Sequence, residues 1–350
     1  MIDASIVEKT LHFKVPAGTS RGIYTTRRVW YVLFTDRNSS RVGIGECAPL
    51  PDLSCDNLAD YEVKLQEFAH QTAHTRIIDL CALREYPSML FGLETALAHL
   101  RAGALSFWNT AFAKGRLGIP INGLIWMGRH QEMLTRIELK MRQGFRCLKL
   151  KIGAIDFELE LSLLHTIRKQ FPADKLELRV DANGAFSPSD VKDKLQALSA
   201  YGLHSIEQPI RAGQWELMHN LCITSPIPIA LDEELIGVNQ PEIKQSLLQS
   251  IRPQYIILKP SLHGGFSGCC EWMRYADALN VQYWATSALE SNIGLNAIAQ
   301  WAAAVMPEAV VQGLGTGQLF TDNIPCGLSL QGDLLYFDPA SDLRIAQLFT

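Results

Sequence analysis

The sequence predicts an α/β protein in which a closed barrel of parallel strands and crossover helices follows a smaller α+β module. Three observations carry this. From about residue 145 onward, short apolar runs ending on polar residues alternate with helical stretches of about ten to fifteen residues; no hairpin turn separates the runs; and the first 110 or so residues follow a different pattern.

The barrel runs are Cys147–Lys151, Leu176–Asp181, His204–Gln208, Ile227–Asp232, Tyr255–Lys259, Val281–Ser287 and Val310–Gly315. Ile121–Trp126 adds an eighth. Eight such strands favour a closed barrel over the alternative of an open doubly wound sheet. Between them, Ile155, Leu159, Leu163, Ile167 and Phe171 fall at i+4 spacing and predict one buried helical stripe. Ser187 is placed to N-cap another helix, with Pro188 at its first position, Asp190 in its first turn and Gly202 closing it.

In the leading module, Arg28–Thr35 and Arg41–Gly45 read as strands, and Asp60–His74 and Phe91–Leu105 as helices. Two turn-rich segments, Pro16–Ile23 and Ala48–Ser54, read as flexible loops placed to cover the barrel mouth. The expected division is a capping domain over 1–115, completed by about 320–350, and a barrel over 116–319.

Composition narrows the function classes. Of 350 residues, 47% are hydrophobic and 19% charged, too apolar for disorder. Lys and Arg number 32 against 36 acids, a net charge of −4 that lacks the basic excess of a nucleic-acid or anionic-membrane binder. No apolar run suits a signal peptide or a bilayer span. The eight cysteines form no C-x-x-C pair and read as reduced thiols, so a cytoplasmic location is expected. The partner implied is a small carboxylate; oligomeric state stays open, a homo-oligomer included.

In a β/α barrel the C-terminal ends of all strands face one mouth, so residues closing successive strands become neighbours. Five strands here close on a charge. Lys151, Asp181, Glu207, Asp232 and Lys259 are separated by 30 (151 to 181), 26 (181 to 207), 25 (207 to 232) and 27 (232 to 259) residues, each about one βα unit. A solvated strand boundary explains one or two such charges but not five in register.

Asp181, Glu207 and Asp232 on consecutive strands would repel one another unless a cation sat among them. Three carboxylates without His or Cys point to a hard divalent metal, Mg²⁺ with Mn²⁺ as substitute, rather than zinc. Asn183 is placed to support Asp181 by a hydrogen bond, though it equally suits the Asn183-Gly184 turn.

Lys149 and Lys151 share one strand face, so repulsion between their ammonium groups is expected to lower both pKa values and make Lys151 available as a general base. Lys259 faces the cluster from the other side, as a second acid/base or a fixed charge. A metal on a substrate carboxylate acidifies the adjacent C–H, which joins the metal and the lysines in one proton-abstraction step. Ser287 and Ser291 are candidates for binding substrate carboxylates, although serines at strand ends are as often turn formers. Arg179 shares a face with Asp181 and is expected to point inward.

K-x-K (Lys149–Lys151), D-A-N (Asp181–Asn183), I-E-Q-P (Ile206–Pro209), L-D-E (Leu231–Glu233) and L-K-P (Leu258–Pro260) together resemble the enolase superfamily. G-I-G-E-C-A-P-L-P (Gly43–Pro51) resembles its capping domain, and F-G-L-E-T-A-L-A-H-L (Phe91–Leu100) the helix before its barrel. The resemblance implies a (β/α)7β modified TIM barrel with an N-terminal α+β cap, and the opposed lysines place the chain in the muconate-lactonizing-type subgroup.

Leu258–Gly265, Thr286–Gly294 and Gly313–Phe320 most resemble the o-succinylbenzoate synthases. That resemblance implies dehydration of 2-succinyl-6-hydroxy-2,4-cyclohexadiene-1-carboxylate in menaquinone biosynthesis. It implies Lys151 as base and then acid, Lys259 as charged partner and Mg²⁺ on the substrate carboxylate.

The competing activity is an N-succinylamino acid racemase or dipeptide epimerase using the same lysines. Dipeptide epimerases carry D-x-D on the last strand, where this sequence has Gly313-Leu314-Gly315. A Schiff-base aldolase on Lys151 or Lys259 would leave the three carboxylates unexplained, and a nucleotide-binding barrel fails the glycine spacing because residue 318 is Gln.

Overall fold

The computed structural model describes residues 1–19, 22–126 and 128–341. Strands β1 (Ile2–Thr19), β2 (Gly22–Asp36) and β3 (Arg41–Cys47) form an antiparallel sheet. Helices α1 (Tyr61–Thr75) and α2 (Pro87–Ala102) pack on it. Gly45 makes that packing possible, since a Cβ there would lie 1.8 Å from the Gly92 carbonyl of α2.

The expected loop at Pro16–Ile23 is instead strand: residues 16–19 extend β1 and 22–23 begin β2, while Ser20 and Arg21 lie outside the described residues. Ala48–Ser54 is a loop, as expected. The second cap helix starts four residues before Phe91, because Pro87 suits a first helical position, and Gly103 ends it in the left-handed conformation.

After β4 (Ile119–Pro120) comes the barrel ring: β5 (Gly123–Ile125), β6 (Cys147–Lys151), β7 (Glu177–Asp181), β8 (Ser205–Glu207), β9 (Ile229–Leu231), β10 (Tyr255–Leu258) and β11 (Gln282–Ala285). Consecutive members all pair in parallel. The eighth member is short. Gln312 bridges Ile121 and Gly313 bridges Thr286, both in parallel, so residues 312–313 close the ring. Gly313 is required there, because a Cβ would fall 2.5 Å from Thr286 Oγ1.

Crossovers are supplied by α3 (His130–Arg142), α4 (Phe157–Gln170), α5 (Val191–Leu198), α6 (Trp215–Thr224), α7 (Pro241–Ile251), α8 (Gly265–Ala278) and α9 (Asn292–Val305). Strand residues such as Leu148, Val180, Ile206 and Leu231 pack beneath them in one continuous core.

Two helix expectations need correction. On α4 the buried face is Glu160, Leu163, Leu164 and Ile167, whereas Leu159 is exposed. A strict i+4 stripe drifts around a 3.6-residue helix, so its early members turn to solvent. On α5, Ser187 does not cap the helix; its N–H donates to Asp190 Oδ1 at 2.8 Å in a turn, and the helix starts at Val191. Gly202 does end the segment in the left-handed conformation.

Beyond the barrel the chain returns to the cap: Lys14 N–H of β1 donates to the Leu319 carbonyl, and Thr321 N–H donates to the His12 carbonyl of β1. The following hairpin, β12 (Leu328–Gln331) and β13 (Leu334–Phe337), pairs with β4 rather than with the cap sheet. The remaining stretch of the expected cap completion, 342–350, lies outside the described residues.

Candidate active site

The C-terminal ends of the strands define an upper mouth, and the parallel register fixes what gathers there. Lys151 pairs with Asp181, and Asp181 with Glu207, across β6, β7 and β8. Lys149 stands one layer below, beside Arg179 in register. Asp232 and Lys259 immediately follow β9 and β10. The structure therefore brings six of the seven predicted charged residues together: Lys149, Lys151, Asp232 and Lys259 line one cavity of about 110 Å³, and Asp181 and Glu207 lie behind it, paired with Lys149 and Lys151.

Lys149 Nζ donates to both carboxylate oxygens of Glu207 at 2.6 Å and lies 2.8 Å from Asp181 Oδ2. Lys151 Nζ donates to Asp181 Oδ2 at 2.5 Å and to Asn183 Oδ1 at 2.9 Å. Lys259 pairs with Asp232. Since β6 and β10 are four steps apart in a ring of eight, Lys151 and Lys259 enter the cavity from opposite walls.

The electrostatics correct one expectation. Burial opposes the Lys149 ammonium, but attraction to Asp181, Glu207 and Asp232 outweighs it and raises its pKa above the usual lysine value. Carboxylates, not the second lysine, decide its state. Burial likewise opposes ionised Asp181, yet Lys149 and Lys151 hold it well below the carboxylate range. Burial and the Asp181 charge push Glu207 upward. Burial works against Lys259 too, and Asp232 reverses it.

Several contributors were not foreseen. Glu233, beside Asp232, accepts from Asn183 Nδ2 at 2.8 Å and lines the cavity; its adjacency in L-D-E was the available signal. Gln208, buried with φ +39, uses Oε1 to accept from the Asp232 and Glu234 backbone N–H groups at 3.2 Å, holding the end of β9 in place. The His263 ring nitrogen Nδ1 accepts from Lys259 N at 3.0 Å.

The cap supplies Tyr24, Leu50 and Leu53 to the cavity wall. Arg27 ties that roof down. Its buried guanidinium donates to the carbonyls of Ala48, Pro49 (2.6 Å) and Leu289 (3.3 Å), one clamp spanning cap loop and barrel.

The two serines part company. Ser287 lines the cavity, donating to Glu290 Oε2 at 2.5 Å and accepting from Thr316 at 2.7 Å. Ser291 does not reach it: fully buried, it caps α9 and bonds to Glu46 of the cap, because a helix N-terminus and a buried carboxylate claim its polar groups. Arg179 also leaves the upper mouth. Its long side chain runs down the barrel interior to Glu177 (2.7 Å) and the Val311 carbonyl (3.1 Å), over the Trp284 ring at 4.2 Å.

Among the described residues, no three His, Cys, Asp or Glu side chains converge as a ready ligand set, because lysine ammonium groups stand between the carboxylates. The donor chemistry nonetheless fits a hard divalent cation. Asp232 Oδ1 and Glu233 Oε2 are buried acceptors without a partner, and every anionic group in the cluster offers oxygen alone.

Residues 132–324 match the Enolase C-terminal domain-like family, and residues 20–100 match the family of MenC N-terminal domains. The o-succinylbenzoate synthase of Desulfotalea psychrophila is 44% identical, covering 95% of this chain and 98% of its own. The chain belongs to the o-succinylbenzoate synthase family of the enolase superfamily.

The crystal structure of MenC from Desulfotalea psychrophila LSv54 superposes with a TM-score of 0.82 at 40% identity, covering 96% of this chain and 99% of that one. The muconate lactonizing enzyme of Pseudomonas putida shares the fold, with a TM-score of 0.80 at 20% identity, covering 100% of this chain and 98% of that one. The curled parallel sheet with its cap is the modified TIM barrel of these enzymes, and the family is one of hydro-lyases. No helix among the described residues is long and apolar enough to cross a membrane.

Proposed function

We propose that the upper mouth carries out the dehydration of 2-succinyl-6-hydroxy-2,4-cyclohexadiene-1-carboxylate to o-succinylbenzoate, with Lys151 as the group that removes the proton and passes it to the leaving hydroxyl. The observation that carries this is the opposed pair of lysines on one cavity, each bound to a carboxylate of the same cluster.

Asp181, Glu207 and Asp232 are the residues that would hold Mg²⁺, with Mn²⁺ as substitute. When bound, the cation supplies a positive charge beside the substrate carboxylate, and so lowers the barrier to removing the adjacent proton. Lys151, donating to Asp181 and Asn183 at the cavity wall, is the amine placed to act as base. Lys151 takes the proton from the carbon next to the carboxylate. The same ammonium then gives that proton to the departing hydroxyl group, so one C–H and one C–O bond break and water leaves.

Lys259 stays charged and faces the developing negative charge from the opposite wall. Asn183 holds Lys151 through Oδ1 and Glu233 through Nδ2, fixing the distance between base and carboxylates. Ser287 stands at the cavity wall with its hydroxyl proton committed to Glu290. Free cysteines throughout the described residues suit a cytoplasmic setting.

The opposed lysines also favour a second activity, racemisation of N-succinylamino acids, in which one lysine removes a proton and the other returns one to the other face. Purified protein with Mg²⁺ is expected to aromatise the cyclohexadiene carboxylate, read as an ultraviolet change, and to lose that activity in excess chelator. Full activity in chelator, or faster racemisation of N-succinylamino acids than dehydration, would reverse the assignment.

A further inference from the structure

The barrel wall has its shortest stave at one place. Among the described residues, 312–313 alone close the ring between β11 and the first strand, and no helix of the ring follows them. Beside that seam lies a lateral cavity of about 330 Å³, bounded by Lys14 and Pro16 of β1 and by Arg136 and Lys140 of α3. Asn122, Leu124, Trp126, Gly315 and Thr316 line both this cavity and the central one, so the two adjoin across a shared wall.

Size and charge both call for that annex. The central cavity of about 110 Å³ is small against the roughly 300–1,000 Å³ usual for small-molecule sites. Its three lysines are committed to the carboxylate cluster. A substrate with two carboxylates, one on the ring and one at the end of a succinyl tail, therefore needs a cation elsewhere.

Lys140 is the group placed to be that cation. Its aliphatic chain lies along β5, where a Cβ on Gly123 would come within 3.2 Å of Lys140 Cδ, and its ammonium stands 4.6 Å over the Phe145 ring. No carboxylate among the described residues pairs with it. Burial pushes its pKa below the usual lysine value, and nothing anionic offsets that. Asn122, almost fully buried in the shared wall, leaves Oδ1 without a hydrogen-bond partner.

We propose that this lateral cavity takes the distal carboxylate of the succinyl tail, with Lys140 as its principal cation and Lys14 and the Asn122 amide beside it. The inference rests on the dehydration reading and names the part of that site that selects a dicarboxylate.

Lys140→Met keeps the packing on Phe145 and removes the charge; Lys140→Arg keeps the charge. Calorimetric titration of the Mg²⁺-loaded protein with o-succinylbenzoate, and with benzoate as a tail-less probe, reads the subsite without turnover. Lys140→Met is expected to weaken o-succinylbenzoate about tenfold, raise KM similarly with kcat within about twofold, and leave benzoate unchanged. Lys140→Arg is expected to restore most of the loss.

Should Lys140→Met not fold, the exposed Lys14→Met carries the same test with an expected effect of about threefold. O-succinylbenzoate affinity unchanged in these variants, or benzoate affinity falling in parallel, overturns the subsite. Wild-type protein that binds o-succinylbenzoate but does not dehydrate the cyclohexadiene overturns the parent reading instead.

Discussion

At the upper mouth of the barrel, three lysines with Asp232 and Glu233 face one cavity under a roof of cap residues, and Asp181 and Glu207 pair with the lysines from behind. At the lower mouth, Arg179 pairs with the half-buried Glu177 beside His204, Tyr255 and Trp284, around a wider groove of about 580 Å³. Ala230, Ile257 and Trp284 form an apolar plug between them. The same strand, β7, feeds both ends: Asp181 stays above the plug and Arg179 passes below it.

A barrel charge becomes chemistry by its distance from the strand's end and the reach of its side chain. Arg179 and Asp181 share a strand face, yet a flexible guanidinium two residues down finds a cation–π and ion-pair site of its own. The upper cluster, by contrast, has more buried charge than it can pair, with Asp232 Oδ1 and Glu233 Oε2 left over. An over-supplied anionic site waits for a cation; a balanced pair does not.

The largest expected effect comes from removing the counter-charge in the upper mouth. Lys149→Met leaves Glu207 and Asp181 buried without it, and is expected to destabilise the metal-free protein by roughly 3–5 kcal/mol. Added Mg²⁺ should recover much of this, measured as a shift in denaturant midpoint. Equal loss with and without Mg²⁺ would mean that the carboxylates do not share a cation.

Next is Lys259→Met. Removing a fixed positive charge aimed at developing negative charge is expected to lower kcat by about 10²–10³-fold, with a much smaller change in KM. A purely KM effect would instead assign Lys259 to substrate binding.

The roof provides a third test. Burial pushes the Glu46 carboxyl from 4.5 up to about 7, against the hydrogen bonds it accepts from Ser291 and Gly294. Because the folded pKa is raised, its contribution is fully present below about pH 4.5 and is lost as pH rises through 7. At about 1.4 kcal/mol per tenfold change, the difference is about 3 kcal/mol. Glu46→Gln should flatten the pH dependence of denaturant stability across that window; an unchanged slope would place the ionised form in the fold.

The smallest effect is expected at the lower mouth. Glu177→Gln removes a partly exposed ion pair and should cost about 1 kcal/mol or less, with kcat within about twofold. A large loss of kcat would connect the two ends through the plug and dissolve the contrast between them.

Much of this was legible in the sequence where strand order alone decides position. Lys151, Asp181, Glu207, Asp232 and Lys259 close consecutive parallel strands, and that register needs no knowledge of packing. What depends on how the cap docks was not legible. Ser291 could be placed at the end of a barrel strand but not assigned to Glu46, which lies 245 residues earlier and meets it only across the cap–barrel interface. Arg27 escaped notice for the same reason, as its acceptors are backbone carbonyls that carry no residue-type signal.

The tip of the cap hairpin reads as a loop because Pro16, Gly18 and Gly22 are turn formers, whereas β1–β2 pairing resumes at Ala17 after an irregularity beyond His12 and runs on to Thr19 and Gly22. The state of Lys149 was misjudged because its partner Glu207 lies two strands away, and the like charge at Lys151 was the only neighbour visible in the local sequence.

The account turns on Lys151, and the direct measurement is kcat for dehydration by Lys151→Ala at saturating Mg²⁺, alongside its affinity for o-succinylbenzoate. A fall of about 10²–10⁴-fold in kcat with product affinity preserved is the predicted result. Turnover within a few-fold of wild type, with the product still bound, would contradict it and move the proton transfer to another group.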